Sequence, residues 1–187
     1  CKWLAEEAEA LEVEIYPGFS ASEILYDENS NVVGVATCDM GILKDGSKGP
    51  NFEQGIELRA KQTVFSEGCR GHLGKTLMKK FNLNKDNAPQ TYGIGIKELW
   101  EIDPKLSKPG SIIHTTGWPL KPDTYGGSFL YHLDDNKVSI GFVVGLDYKN
   151  PYLSPYMEFQ RFKHHPDIKK HLEGGRRINY GAGALNE

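Results

Sequence analysis

Cysteine is scarce in this chain. Cys1, Cys38 and Cys69 are the only three, too few for a disulfide framework and wrongly spaced for a Cys-x-x-Cys metal pair, so reduced thiols are expected. No stretch approaches the roughly 18 consecutive apolar residues that a membrane-spanning helix requires. A basic stripe is missing as well. The formal net charge is -3, and the runs Lys75, Lys79, Lys80 and Arg176, Arg177 are too short to neutralise a phosphate backbone, which excludes nucleic acid as a partner. There is no HExxH and no GxSxG elbow, and no cysteine has a base nearby in sequence, so hydrolase chemistry has no support. The histidines form no metal or catalytic signature. His164-His165-Pro166 ends a helical run, where a cation complements the dipole, while His114 and His132 fall in strand-like segments as hydrogen-bonded sheet residues.

What is present is pattern. Trp3, Leu4, Ala8 and Leu11 have helical spacing, and Val13 and Ile15 alternate with glutamates up to a Pro17-Gly18 turn, predicting a helix followed by a strand. Ile24 to Tyr26 and Val32 to Val35 flank a polar turn and predict a hairpin. Residues 45–55, rich in Gly, Ser, Lys and Asn, are expected to form an exposed loop. Thr63-Val64-Phe65 predicts a short strand leading into the helical pattern Leu73, Leu77, Met78, Phe81. From Thr91 to Tyr148 the alternation predicts four strands of an antiparallel sheet with one buried face. Ser154 is a good N-cap with Pro155 at the first helical position. Gly174-Gly175 stops that helical region, and Arg177 to Tyr180 suggests a last strand. The chain starts at Cys1 in the middle of a helical pattern, so both ends are expected to be cuts within a longer sequence.

Two glycine-bearing segments stand out. In Phe65-Ser66-Glu67-Gly68-Cys69-Arg70-Gly71, a strand-turn-helix junction brings backbone N–H groups to a helix start where a phosphate is favoured; a plain glycine turn accounts for it equally. In Thr124-Tyr125-Gly126-Gly127-Ser128-Phe129, paired glycines opening a well-patterned strand mark a bulge or a close backbone approach. A flat apolar ring packed there would meet freed N–H groups, with Tyr125, Phe129 and Trp118 as walls. A simple strand corner is the commoner use of such a pair. Trp100, Trp118, Tyr125, Phe129 and Tyr131 also suit a water–lipid boundary, a core or a pocket wall.

The runs Pro89 to Trp100, Gly117-Trp118-Pro119-Leu120, Thr124 to His132, Gly141 to Tyr148 and Asn150 to Pro155 closely resemble the electron transfer flavoprotein-ubiquinone oxidoreductases. Phe159 to Pro166, Leu172 to Gly175 and Tyr180-Gly181-Ala182 extend the resemblance over nearly the whole chain. It implies an α+β fold, a mixed and largely antiparallel sheet flanked by helices, within the glutathione-reductase-like and hydroxylase-like FAD-dependent oxidoreductases. It also implies an enzyme with FAD and a 4Fe-4S cluster that takes electrons from reduced electron transfer flavoprotein and delivers them to ubiquinone at a membrane surface. That surface would be the matrix side of the mitochondrial inner membrane in a eukaryote, or the cytoplasmic membrane in a bacterium.

Residue by residue, the resemblance places Gly126 and Gly127 on the quinone head group, with Tyr125, Phe129 and Trp118 around it, and Glu67, Gly68, Arg70 and Gly71 on the FAD side. Residues 1–88 would be part of the FAD-binding domain, 89–175 the ubiquinone-binding domain, and 176–187 a return towards the former. The family's dinucleotide fingerprint and cluster cysteines fall outside this stretch, so stable binding of FAD or of a cluster by these residues alone is not expected. The alternatives are the substrate-covering domain of a related FAD-dependent reductase or hydroxylase, and a non-catalytic binding module.

Overall fold

A computed structural model describes residues 2–186; Cys1 lies outside the described residues. The chain divides into two units, Cys1–Lys85 and Asp86–Glu187. In the first, helix α1 (Lys2–Ala10) buries no residue. Strands β1 (Ala21–Tyr26), β2 (Val32–Thr37) and β5 (Glu57–Arg59) form an antiparallel sheet in the order β1-β2-β5. The β1–β2 turn is tied by Asp27, whose Oδ1 accepts from the N–H groups of Asn29 and Asn31 at 2.9 and 2.7 Å. Helix α2 (His72–Phe81) sets Phe81 6.2 Å from the Tyr26 ring and Lys80 Nζ 3.8 Å above it.

Three sequence expectations fail in this unit. Residues 13–16 and 61–68 are not strands, and Val64 is 82% exposed. Apolar alternation makes a strand only where a neighbour supplies ladder partners, and no described strand runs beside either segment. Conversely, part of the expected loop is a strand: β4 (Lys48–Glu53) pairs with β3 (Met40–Ile42), closed by Asp45 accepting from Ser47. Pro50 is tolerated because this is a two-stranded ribbon with free edges.

The second unit holds the core. Strands β6 (Tyr92–Glu101), β7 (Ile112–Thr116), β8 (Gly126–Leu133), β9 (Lys137–Gly145) and β10 (Arg176–Asn186) form an antiparallel sheet in the order β10-β6-β9-β8-β7. The expected four strands are present. β10 is longer than the sequence suggested and pairs with β6 from end to end. Between β8 and β9, Asp135 and Asn136 take φ of 56° and 55°, which short polar side chains tolerate in hairpin turns.

In β9, Val138, Ile140, Phe142 and Val144 all point one way and are fully buried. Helices α3 (Pro155–Lys163) and α4 (Pro166–Leu172) cover that face. Phe159 stacks on Phe142 at 6.1 Å and Phe162 approaches it at 5.5 Å. Burying each such ring contributes about 1.5–3 kcal/mol. The helical region expected after Ser154 is broken at Pro166, which cannot continue a helix, and His165 becomes the N-cap of α4 by accepting from Asp167 N–H at 3.2 Å. Glu98 projects into the same interior, 1% exposed. Its carboxylate accepts from Lys163 and Trp100 at 2.8 Å and from Arg177 at 3.1 Å, tying α3 and β10 to β6.

Candidate functional site

No described helix covers the other face of the five-stranded sheet. Because side chains alternate along each strand, the pairing register defines that face. Gly183, Gly95, Val143, Gly127 and Thr116 form one row across it, and Gly181, Lys97, Gly141, Phe129 and His114 form the next. Gly93 and Gly145 begin a third row. Glycine thus recurs on this face of β10, β6, β9 and β8, interrupted by Val143 and Lys97, and side chains of Leu185 and Phe129 lean over Gly95 and Gly141. Above Gly181 and Gly183 no atom lies within 4 Å of where a Cβ would stand.

At the β7–β8 end this floor carries rings. Phe129 lies across Gly141, where a Cβ would be 2.3 Å from two of its ring carbons. Its other side stacks on Tyr131, centroids 4.8 Å apart and planes 25° apart. Tyr131 in turn meets His114, with Oη and Nε2 3.3 Å apart.

The glycine pair sits at the start of β8. The expected bulge is absent: Gly126 and Gly127 keep unbroken register with Val144 and Val143 of β9, and Gly127 also pairs with Thr116 of β7. N–H groups freed by a bulge are therefore not available. The close approach is real, with a different cause. A Cβ on Gly126 would stand 2.4 Å from the Val143 carbonyl oxygen and from Leu120 Cδ1, and one on Gly127 would stand 2.4 Å from the Thr115 carbonyl oxygen. Of the residues singled out from sequence, Gly127 and Phe129 share the open face. Gly126 abuts Leu120 on the helix side, and Tyr125 is 67% exposed at the strand's start. Trp118 lies on the helix side, edge-on to His165 at 5.0 Å.

Trp118 also borders a cleft of about 260 Å³ between β7 and the helices, lined by Ile113, Thr115, Phe162, His165 and His171 among others. Behind it, His132 Nε2 and His171 Nδ1 are 3.0 Å apart. His132 Nδ1 accepts from the Lys108 N–H at 3.3 Å. That contact places the ring proton on His132 Nε2, which donates to His171. Burial lowers the pKa of both imidazoles, and the neighbouring Lys108 adds to the effect.

In the first unit, Glu67 turns back over Gly71 and accepts from the N–H groups of Leu73 and Gly74 at 3.0 and 2.6 Å. These hydrogen bonds, the one from Leu73 foremost, hold its carboxyl below the usual range. The free donors expected at the start of α2 are thus taken by the chain's own carboxylate. Gly68, with φ of 81°, and exposed Arg70 remain open. Cys38 is exposed and Cys69 half-buried.

The profile of the family described as "ETF-QO, ubiquinone-binding" matches residues 92–185, from the start of β6 almost to the end of β10. The chain belongs to this family. It is 63% identical over 187 residues to the mitochondrial electron transfer flavoprotein-ubiquinone oxidoreductase of Sus scrofa, covering 99% of this chain and 30% of that protein. It is 57% identical to the mitochondrial protein of Arabidopsis thaliana, over 100% of this chain and 30% of that one. For the Pseudomonas aeruginosa protein the identity is 56%, with 99% and 34% covered. The chain thus spans about a third of the length of these relatives. Among solved structures, the flavin-dependent brominase Bmp2 superposes with a TM-score of 0.60 at 14% identity, over 99% of this chain and 42% of that one. Halogenase PltM gives 0.55 at 12%, over 98% and 35%. At these identities the likeness is one of fold alone, an α+β architecture with antiparallel sheets.

Three groupings in this ubiquinone-binding-family sheet were not legible from sequence. Glu98 with Lys163 and Arg177 spans 65 and 79 residues, and His132 with His171 spans 39. The His114–Tyr131 contact joins residues 17 apart. An acidic residue amid an apolar alternation was the one available signal for Glu98. The histidines gave none until the register was known.

Proposed function

We propose that the helix-free face of the five-stranded sheet holds the head group of ubiquinone, in an oxidoreductase that passes electrons from reduced electron transfer flavoprotein to ubiquinone. The observation that carries this reading is the glycine floor across four neighbouring strands, with Phe129 laid flat at its edge. A flat conjugated ring gains contact in proportion to how closely it approaches, and glycines interspersed among Val143, Lys97 and Phe129 let it come nearer the backbone than an unbroken row of side chains would. Phe129, pinned between Gly141 and Tyr131, has both faces covered and presents its ring edge as a wall beside the floor. In this reading Gly127 is part of the floor, and Gly126 lets β8 close on Val143. Tyr125 and Trp118 border the loop before β8.

The first unit would face the flavin side, with Gly68 and Arg70 the residues left to meet it. FAD, which transfers electrons when bound, finds no phosphate cradle at α2, because Glu67 occupies the Leu73 and Gly74 donors. A 4Fe-4S centre needs four ligands, and the sequence holds three cysteines. The Sus scrofa relative is named as mitochondrial; a membrane surface, on the matrix side in a mitochondrion or cytoplasmic in a bacterium, is part of the same proposal. No described helix is long and apolar enough to cross a membrane.

The test is Phe129→Ala and Thr116→Phe in the full-length enzyme, assayed with a short-chain ubiquinone. Removing the wall or blocking the floor beside Gly127 should raise KM by about tenfold, the equivalent of ~1.4 kcal/mol of lost contact. Unchanged KM in both variants would sink the assignment. Gly126 and Gly127 are poor targets, because any side chain there strikes a backbone carbonyl first.

A further inference from the structure

The geometry points to His114 as the proton donor to ubiquinone on this face, with Tyr131 as the residue that positions its ring. This inference rests on the ubiquinone reading above. Reducing a quinone to a quinol takes two electrons and two protons, one proton for each carbonyl oxygen. Backbone N–H groups of the floor are held in strand pairing and release no proton, and Phe129 carries none to give. His114 stands directly across from Phe129 on β7, in the row next to Gly127. That diagonal spans about 7–8 Å, so a ring resting on the floor at Gly127 brings one carbonyl within reach of the imidazole.

The contact with Tyr131 fixes how the imidazole is presented. The contact engages Nε2 with Oη. When the ring is charged, Nε2–H donates to Oη and Nδ1–H is the free donor. In the reaction the imidazolium's Nδ1–H bond breaks, an O–H bond forms at the reduced quinone oxygen, and a neutral imidazole remains with its proton on Nε2 towards Tyr131. The two electrons come from reduced electron transfer flavoprotein, and the second proton comes from solvent. His114 is exposed, so water recharges it between turnovers.

The other titratable groups of this face stand farther off. Lys97 lies two strands beyond Phe129 in the same row, and Lys137 sits at the hairpin end with Asp135. Glu101 is paired with Arg176. None of these replaces an imidazole one residue pair from Gly127.

The experiment compares His114→Gln and Tyr131→Phe with the unaltered full-length enzyme. Each is assayed with a short-chain ubiquinone and with ferricenium, a one-electron acceptor that takes no proton. Loss of a proton donor should lower kcat with ubiquinone by about 10²-fold for His114→Gln, while KM and ferricenium turnover are retained. The fall in kcat towards high pH, where a proton donor has lost its proton, should disappear. Tyr131→Phe should lower kcat less, and added imidazole should restore part of the rate to His114→Ala. An unchanged kcat and pH profile in His114→Gln would overturn the proposal. So would an equal loss with both acceptors, which places the defect in electron delivery or folding. A raised KM in Phe129→Ala alongside an unaltered His114→Gln refutes proton delivery alone. Unchanged KM in Phe129→Ala refutes the site itself.

Discussion

Phe129 occupies the space that a side chain on Gly141 would fill: a Cβ there would stand 2.3 Å from the ring's Cε1 and Cζ. An aromatic ring from a neighbouring strand thus covers a buried glycine and gives it contacts it could not make for itself. Gly141→Ala should therefore displace the ring and destabilise the protein by about 1–3 kcal/mol. In a Phe129→Ala background the same change should cost far less. Denaturant midpoints of the two single variants and the double variant close the cycle, and simple additivity would show that the two positions are not coupled.

Glu98 provides a second test. Replacing it with Ala leaves Lys163, 11% exposed, without its carboxylate, and removing one partner of a buried ion pair costs about 3–5 kcal/mol. Urea unfolding of Glu98→Ala measures this. Replacing Glu98 and Lys163 together by apolar residues should recover much of the loss.

The pH dependence of stability should show two windows of different origin. His132 and His171 have native pKa values lowered below the ordinary 6.5, burial being the main cause. Wherever the unfolded chain binds more protons than the native one, stability rises with pH. Their contribution is therefore complete above about pH 6.5, the ordinary imidazole value, and falls as pH drops below it towards the lower native values. Glu98 acts further down. Burial pushes its carboxyl up, but the hydrogen bonds from Lys163, Trp100 and Arg177 outweigh that and leave it lowered. Its contribution is present above about pH 4.3, the ordinary glutamate value, and is lost in stronger acid. Unfolding free energies measured across this range should show the upper step removed by a double His132→Asn, His171→Asn variant. A persistent upper step would assign it to other groups.

Gly181 and Gly183 lie in β10 with nothing within 4 Å of a notional Cβ, and neither has a positive φ. Gly181→Ala and Gly183→Ala should each stabilise the chain by about 0.5–1 kcal/mol, mostly by restricting the unfolded state. A rise in melting temperature checks this. A fall would reveal packing at these positions.

Much of the second unit was legible because β6 to β9 are half-buried strands, and a two-residue period survives wherever one face is dry and the other is not. Val138 to Val144 is the clearest case. The same reasoning misread Val13 to Ile15 and Thr63 to Phe65, since alternation reports a preference and a strand also needs a neighbour. It missed β4 because Gly49, Pro50 and Asn51 are poor strand formers held in place by pairing with β3.

At the candidate site, Gly126-Gly127 signalled a close approach, but the partners, the carbonyls of Val143 and Thr115, belong to strands that the glycines do not identify. The floor as a whole was invisible. Gly95, Gly127, Gly141 and Gly183 are scattered along the chain, and only the register of three strand pairs gathers them.

That gathering also sets selection for heat tolerance against selection for turnover. Glycine inside a strand is destabilising by about 0.5–1 kcal/mol relative to alanine, so the open face is a concentrated weakness in an otherwise well-packed sheet. A library of variants screened for survival at high temperature would accumulate methyl groups on this surface first, beginning at Gly181 and Gly183. Under the proposed function, the hardiest of those variants would be the ones whose floor no longer admits a flat ring.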